Sequence, residues 1–285
     1  MNISARLVAA LILFGCGLGV LPAQAQSVVT LGGGFFSPVK VAVDGSGNVY
    51  VGDEGTGEVY EMPSGCGSAA CVTALGGGGG FNFPAGVAVD GGGNVYVASE
   101  GDGVVYAMPP NCLSISCVTM LGGGFGAPFG IAVDGSGNIY VADVTTGAVY
   151  EMPPGCFSAG CVTTLAGTFP FILPEDVAVD GAGNVFVPDS NIDAVYEMPP
   201  GCMSASCVIT IASGSPFSFP TGVAVDGSGD IFVADTGIGA TTAGSVFEIP
   251  APPPQTVPAL GMAGKLLCAL LLGTAGYQTI RRRAA

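Results

Sequence analysis

Asp53, Asp143, Asp189 and Asp235 each close a short apolar run, and Ser99 holds the corresponding place in another run. Ahead of these runs stand Phe36, Phe83, Phe129, Phe171 and Phe219. Carboxylates alone can carry out glycoside hydrolysis or hold a divalent cation such as calcium. A ring of phenylalanines around a ring of carboxylates also has the composition of a binding face for a protein or a glycan. The competing reading is architectural: the phenylalanines wedge between neighbouring units and the aspartates cap turns. The chain contains no histidine. That removes the Ser-His-Asp triad and the commonest general base, so no catalytic set is assigned.

Cysteine is the second reactive residue type. Eight of the ten cysteines form C-x4-C pairs: Cys66 with Cys71, Cys112 with Cys117, Cys156 with Cys161, and Cys202 with Cys207. In an exported protein these read as disulfides, each contributing roughly 2 kcal/mol through the entropy of a short closed ring. Zinc is the alternative, but two thiolates per pair and no histidine leave a tetrahedral site incomplete unless units share ligands. The spacing also differs from the C-x-x-C of redox motifs.

These residues recur because the chain repeats. VAVDGSGNVYVGD (Val41 to Asp53) returns as VAVDGGGNVYVAS, IAVDGSGNIYVAD, VAVDGAGNVFVPD and VAVDGSGDIFVAD, with Asp44, Asp90, Asp134, Asp180 and Asp226 spaced 46, 44, 46 and 46 residues apart. A period in the forties with several short alternating runs per unit predicts a β-propeller. In the third unit the candidate strands are Gly130 to Asp134, Asn138 to Asp143, Ala148 to Met152 and Cys161 to Leu165. Between the first two lies Asp-Gly-Ser-Gly-Asn, a hairpin turn in which glycine takes positive φ and Asp and Asn bond their own backbone. As a calcium loop it has too few carboxylates at alternating positions to resemble an EF-hand.

The fifth unit stops after Ser245 to Pro250 with no fourth strand, and VVTLGGG (Val28 to Gly34) opens the chain as a fourth strand without a unit. Pairing Val28 to Leu31 with Ser245 to Ile249 would complete an all-β, five-bladed propeller of four-stranded antiparallel blades, closed by the N-terminal strand. Such closure hides sheet edges. It also accounts for the missing fifth cysteine pair.

The units resemble NHL repeats, a propeller family with the consensus P-x-G-I-A-V-D-x-x-G-N-I-Y-V-A-D. The matching stretches are Pro84 to Ser99, Pro128 to Asp143, Pro174 to Asp189 and Pro220 to Asp235, within a propeller spanning 26–250. The resemblance implies a propeller, commonly of six blades in that family. The Asn-x-Arg that often follows the last Asp is replaced here by sequences such as Val144-Thr145-Thr146-Gly147. Some propellers of this type are zinc lyases, and related six-bladed lactonases hold calcium. The lyase chemistry fails without histidine, and no lactonase ligand set is recognisable.

Charge narrows the partners. All 21 acidic residues lie between Asp44 and Glu248, and the net charge is −15. Such a surface repels phosphate backbones, so nucleic acid is excluded as a partner, while cations and cationic partners remain open.

Both ends read as targeting segments. Residues 1–25 have an early Arg6, an apolar run through Val20 and an A-x-A site before Gln26, the pattern of a secretory signal peptide. Leu13-Phe14-Gly15-Cys16 is a competing lipoprotein box. Residues 251–256 form a proline-rich linker, and 257–285 an apolar segment ending in Arg281, Arg282 and Arg283. That segment is long enough to span a bilayer if Lys265 snorkels. The tail also resembles the C-terminal sorting signals of Gram-negative bacteria processed by an exosortase-type transpeptidase, closest to the kind beginning Ile-Pro-Thr-Leu. Val257, Pro258, Ala259 and Leu260 carry the match, together with Gly264 and the arginines; Ala263 stands where that family usually has tryptophan. The resemblance implies transient membrane association, a sorting transpeptidase as a partner, and delivery to the cell surface or extracellular matrix. A plain membrane anchor is the other reading.

The expected function is therefore an exported, non-catalytic binding or scaffold propeller with a protein or glycan ligand, no obligatory cofactor, and calcium as the one ion the carboxylates could take. A metal-dependent lactonase-like or glycosidase-like enzyme is the alternative.

Overall fold

The structure, a computed structural model, describes residues 30–251 except 79, 168, 170 and 238–243. The expected signal peptide, Val28 and Val29 of the closing strand, and the tail with Val257 to Leu260 and Arg281 to Arg283 lie outside the described residues.

The repeat folds as five antiparallel sheets arranged as the blades of a propeller. Blade one comprises β1 (Pro38–Val43), β2 (Val49–Asp53), β3 (Glu58–Met62) and β4 (Thr73–Leu75). Blade two comprises β5 (Pro84–Val89), β6 (Val95–Ser99), β7 (Val104–Met108) and β8 (Thr119–Leu121). Blade three comprises β9 (Pro128–Val133), β10 (Ile139–Asp143), β11 (Ala148–Met152) and β12 (Thr163–Thr164). Blade four comprises β13 (Ala178–Val179), β14 (Val185–Asp189), β15 (Ala194–Met198) and β16 (Ile209–Ser213). Blade five, among the described residues, has β17 (Pro220–Val225), β18 (Ile231–Asp235) and β19 (Ser245–Ile249).

The first hairpin of each blade is closed as its composition requires. In blade one the Asp44 carboxylate accepts the Ser46 and Asn48 N–H groups at 2.9 Å and the Asn48 amide at 2.8 Å, while Gly47 takes φ +81°. Only glycine adopts that backbone without strain. The fourth strands begin later than expected: Cys161 closes a short 3-10 turn (Ala159–Cys161), and β12 starts at Thr163. All four cysteine pairs are disulfides, with Cα atoms 5.6–5.7 Å apart.

The core lies between blades. Val105 and Leu121 of blade two pack with Ile139, Met152 and Cys156 of blade three, and equivalent clusters join blades one to two, three to four and four to five. These interfaces are wedged by a phenylalanine edge-on to an aromatic ring of the blade that follows: Phe81 on Tyr106 at 5.4 Å, Phe125 on Tyr150 at 5.2 Å and Phe217 on Phe247 at 5.2 Å between ring centroids.

The seam between blades five and one differs. Val246, at the place of Val105, is 72% exposed where Val105 is 0%. On blade one, Val41 and Val43 are exposed, and the cluster of Val51, Met62 and Cys66 contains no residue of blade five. Gly32 does seat against blade one: a side chain there would collide with Met62, as one at Gly122 would with Met152 of blade three. The chain thus enters at the place where β8 leaves blade two. Thr30 and Leu31 belong to no strand, and Leu31 is 45% exposed whereas Leu121 is 6%.

Candidate binding face

One face of the propeller collects the loops that enter each first strand and those joining second to third strands. The aspartates that close the second strands are buried there. Asp53 accepts the N–H groups of Phe36 (2.7 Å), Ser37 (2.8 Å), Gly55 (3.0 Å) and Thr56 (3.2 Å). Burial pushes its pKa up, but the donors from Ser37, Phe36, Thr56 and Gly55 outweigh burial and hold the carboxyl below the usual aspartate range. Asp143 accepts the N–H groups of Gly126, Ala127, Thr145 and Thr146. Asp189 takes Ile172, Leu173 and Asn191, and Asp235 takes Ser218, Phe219 and Gly237. These four carboxylates tie the entering loop to the second hairpin, as the architectural reading expects.

Blade two shows a substitution that sequence reasoning missed. The Ser99 hydroxyl lies 2.9 Å from the Asn82 carbonyl oxygen of the entering loop, and Asp102, three residues on, supplies the carboxylate that Ser99 lacks. The Ser99 hydroxyl lies 2.8 Å from Asp102 Oδ2, which also accepts the Asn82 N–H at 3.3 Å. The signal was present, since an acid stands three residues beyond the position where every other blade has one.

The five phenylalanines do not occupy equivalent places. Phe171 is the buried wedge of its blade, edge-on to Tyr196 at 5.5 Å, alongside Phe35, Phe81, Phe125 and Phe217 at the same register. Phe36, one position after the wedge, is 81% exposed, and Phe83, two positions after it, is exposed as well. Phe129 lies in β9 with the Lys40 ammonium 5.9 Å from its ring centre, and Phe219 is half-buried. Ile172, in the loop entering blade four, is exposed too.

Acidic side chains lie among them. Burial, then the negative charges of Glu100 and Asp53, raise the Glu54 pKa. Burial likewise raises Glu175, with the Ser190 hydroxyl donating to it at 2.7 Å and opposing the shift. At the axis, where all blades contribute lining residues to a cavity of about 140 Å³, Lys40 reaches from blade one to Asp176 of blade four at 2.9 Å. Asp176 also accepts the Val223 N–H of blade five at 3.1 Å. No group of three or more acidic or cysteine side chains is placed to share a metal ion among the described residues.

These features define a five-bladed β-propeller, and the NHL repeat model matches residues 217–237, within its fifth blade. The fold is similar to virginiamycin B lyase from Staphylococcus aureus at 10% identity and TM-score 0.57, covering 76% of this chain and 71% of that one. It is similar to a chain of a nidogen/laminin complex at 16% identity and TM-score 0.58, covering 70% and 72%. Hydrazine synthase of Kuenenia stuttgartiensis shares 16% identity at TM-score 0.54, covering 80% and 66%. At such identities the likeness concerns the fold. No curated protein matches the chain in sequence.

Proposed function

We propose that the protein is an exported, non-catalytic binding propeller, displayed at the cell surface or released to the matrix, that takes a protein or glycan ligand on the face bearing Phe36 and Phe83. The observation that supports this is the division of labour on that face. The ring of aspartates is occupied with backbone N–H groups, while exposed aromatic side chains stand beside acidic ones with raised pKa values. An exposed aromatic anchor in a polar rim is the usual composition of a recognition surface. Calcium enters this reading only as a modulator through Glu54, Glu100 or Glu175. The tail would position the propeller, by a sorting transpeptidase or as an anchor.

The experiment is a binding screen of purified 26–255 against surface polysaccharides and cell-envelope extract, with and without calcium. A ligand whose affinity drops at least tenfold in the Phe36→Ala/Phe83→Ala double variant supports the reading. A ligand indifferent to both changes, or turnover of a lactone or glycoside substrate, overturns it.

A further inference from the structure

The opposite face carries grooves between neighbouring blades, beside the turn that joins each first strand to the second. Three are well formed: about 340 Å³ between blades one and two, 440 Å³ between two and three, and 300 Å³ between three and four. They share a plan and differ where the third strand faces the tyrosine of the second. Tyr50 pairs across the sheet with Glu61, and Tyr140 with Glu151, and those glutamates line their grooves. In blade two the partner of Tyr96 is Ala107. The missing carboxylate uncovers an apolar floor that includes Leu121, and Phe157, exposed on the cysteine loop of blade three, forms a wall.

The rim of this groove is rich in acceptors. Asp90 receives Gly92 N–H, Asn94 N–H, the Asn94 amide and the Tyr96 hydroxyl at 2.8–3.0 Å. Burial opposes ionisation, but the donors from Asn94, Tyr96 and Gly92 prevail, so the carboxyl titrates below the usual range and stays charged at neutral pH. Asn48 Oδ1 in blade one accepts the Ser64 N–H at 3.3 Å. In blade two Pro110 replaces Ser64 and brings no N–H, so among the described residues no donor reaches Asn94 Oδ1. Lys40, the single basic residue among those described, lies at the axis, bonded to Asp176.

We propose that the groove between blades two and three binds a small organic cation, an ammonium group carried on an apolar chain or ring. The apolar body rests on Leu121 and against Phe157, and the ammonium donates to Asn94 Oδ1 within the field of Asp90. This combines a concave, largely apolar pocket with a few convergent acceptors of one sign, and the Phe157 ring adds attraction for a cation near its face. The groove is independent of the face that bears Phe36 and Phe83 and of any ligand bound there.

The test is an NMR titration of the full chain with phenethylammonium chloride, alongside phenethyl alcohol as the neutral isostere and 3-phenylpropionate as the anion. Saturable shifts at Ala107, Thr119 and Phe157 are expected with phenethylammonium, clearly weaker ones with the alcohol, and none with the anion. Ala107→Glu installs the residue that blades one and three already carry, so the fold is expected to hold, checked by an unchanged melting temperature. It should reduce phenethylammonium binding at least about tenfold, some 1.4 kcal/mol. Glu151→Ala should create a second, weaker site in the neighbouring groove. Equal binding of the three probes overturns the charge selection, equal binding by Ala107→Glu overturns the location, and absence of saturable shifts overturns the site.

Discussion

The interface between blades two and three and the seam between blades five and one have nearly the same apolar sequence and opposite solvent exposure. Val105 and Val246 occupy the same register, one sealed and the other open; Leu121 and Leu31 differ in the same sense. The repeat writes an apolar face on every blade. Whether that face is covered depends on a fourth strand and on the next blade closing over it. In blades one to four that strand follows its own third strand through a disulfide loop. For blade five it would have to come from the other end of the chain.

A charge placed at the matching position of each interface should separate the two most strongly. Val105→Asp is expected to cost about 4 kcal/mol, because the carboxylate would be buried with no partner. Val246→Asp should change stability by no more than about 0.5 kcal/mol, as at other exposed positions. Urea unfolding of the two variants measures both. Equal losses would mean that Val28 to Leu31 covers Val246 in solution.

A smaller effect is expected at the turn-capping carboxylates. Asp143→Ala strands four N–H donors in a closed part of the ring and should cost about 3 kcal/mol. Asp235→Ala, beside the seam with fewer strong bonds, should cost less, and thermal denaturation gives the ranking. If both cost the same, the seam is as rigid as the closed interfaces.

Converting Cys112 and Cys117 to serine should remove roughly 2 kcal/mol and leave the propeller folded, because a six-residue ring constrains few conformations of the unfolded chain. Peptide mapping without reductant should recover each nearest-neighbour pair in one fragment; mixed pairing would contradict the hairpin geometry.

The smallest effect is that of pH. Asp53, Asp90 and Asp134 all have pKa values held below the ordinary range. Their contribution is fully present above the unfolded value near 4 and is lost as pH falls through the lower folded values. Glu54 and Glu175 have raised values and act oppositely, since protonation just above the ordinary glutamate range relieves the folded state. Melting temperature should therefore stay level or rise slightly from pH 6 to 5 and fall below about pH 4. A steady decline from pH 6 would refute the assignment.

Much of this architecture is legible in the sequence because it rests on local rules. The Asp-Gly-Ser-Gly-Asn turns, the cysteine hairpins and the blade period each follow from a few adjacent residues. The phenylalanines are less legible: Phe36, Phe83, Phe129 and Phe171 look alike in the chain but sit at different registers relative to the proline that opens each blade, and a shift of one position separates an exposed ring from a buried wedge. The role of Asp102 emerges only once the short Ser99 is seen beside it. The groove emptied by Ala107 requires knowing which residue faces Tyr96 across the strand. The openness of the seam is less legible: the missing fourth strand of the fifth unit marks where it falls, but Val246 and Val105 stand in matching patterns and differ only in what lies over them.

The cysteine rings carry a mechanical consequence. Each bridges a sequence separation of 5, with Cα atoms near 5.7 Å, so it conceals only about 12 Å of contour length when the chain is drawn out straight. None of the four links one blade to another. Pulled from either end, the oxidised polypeptide would therefore unravel blade by blade to nearly the reach of a reduced one, passing as a string with four small beads rather than a knotted loop.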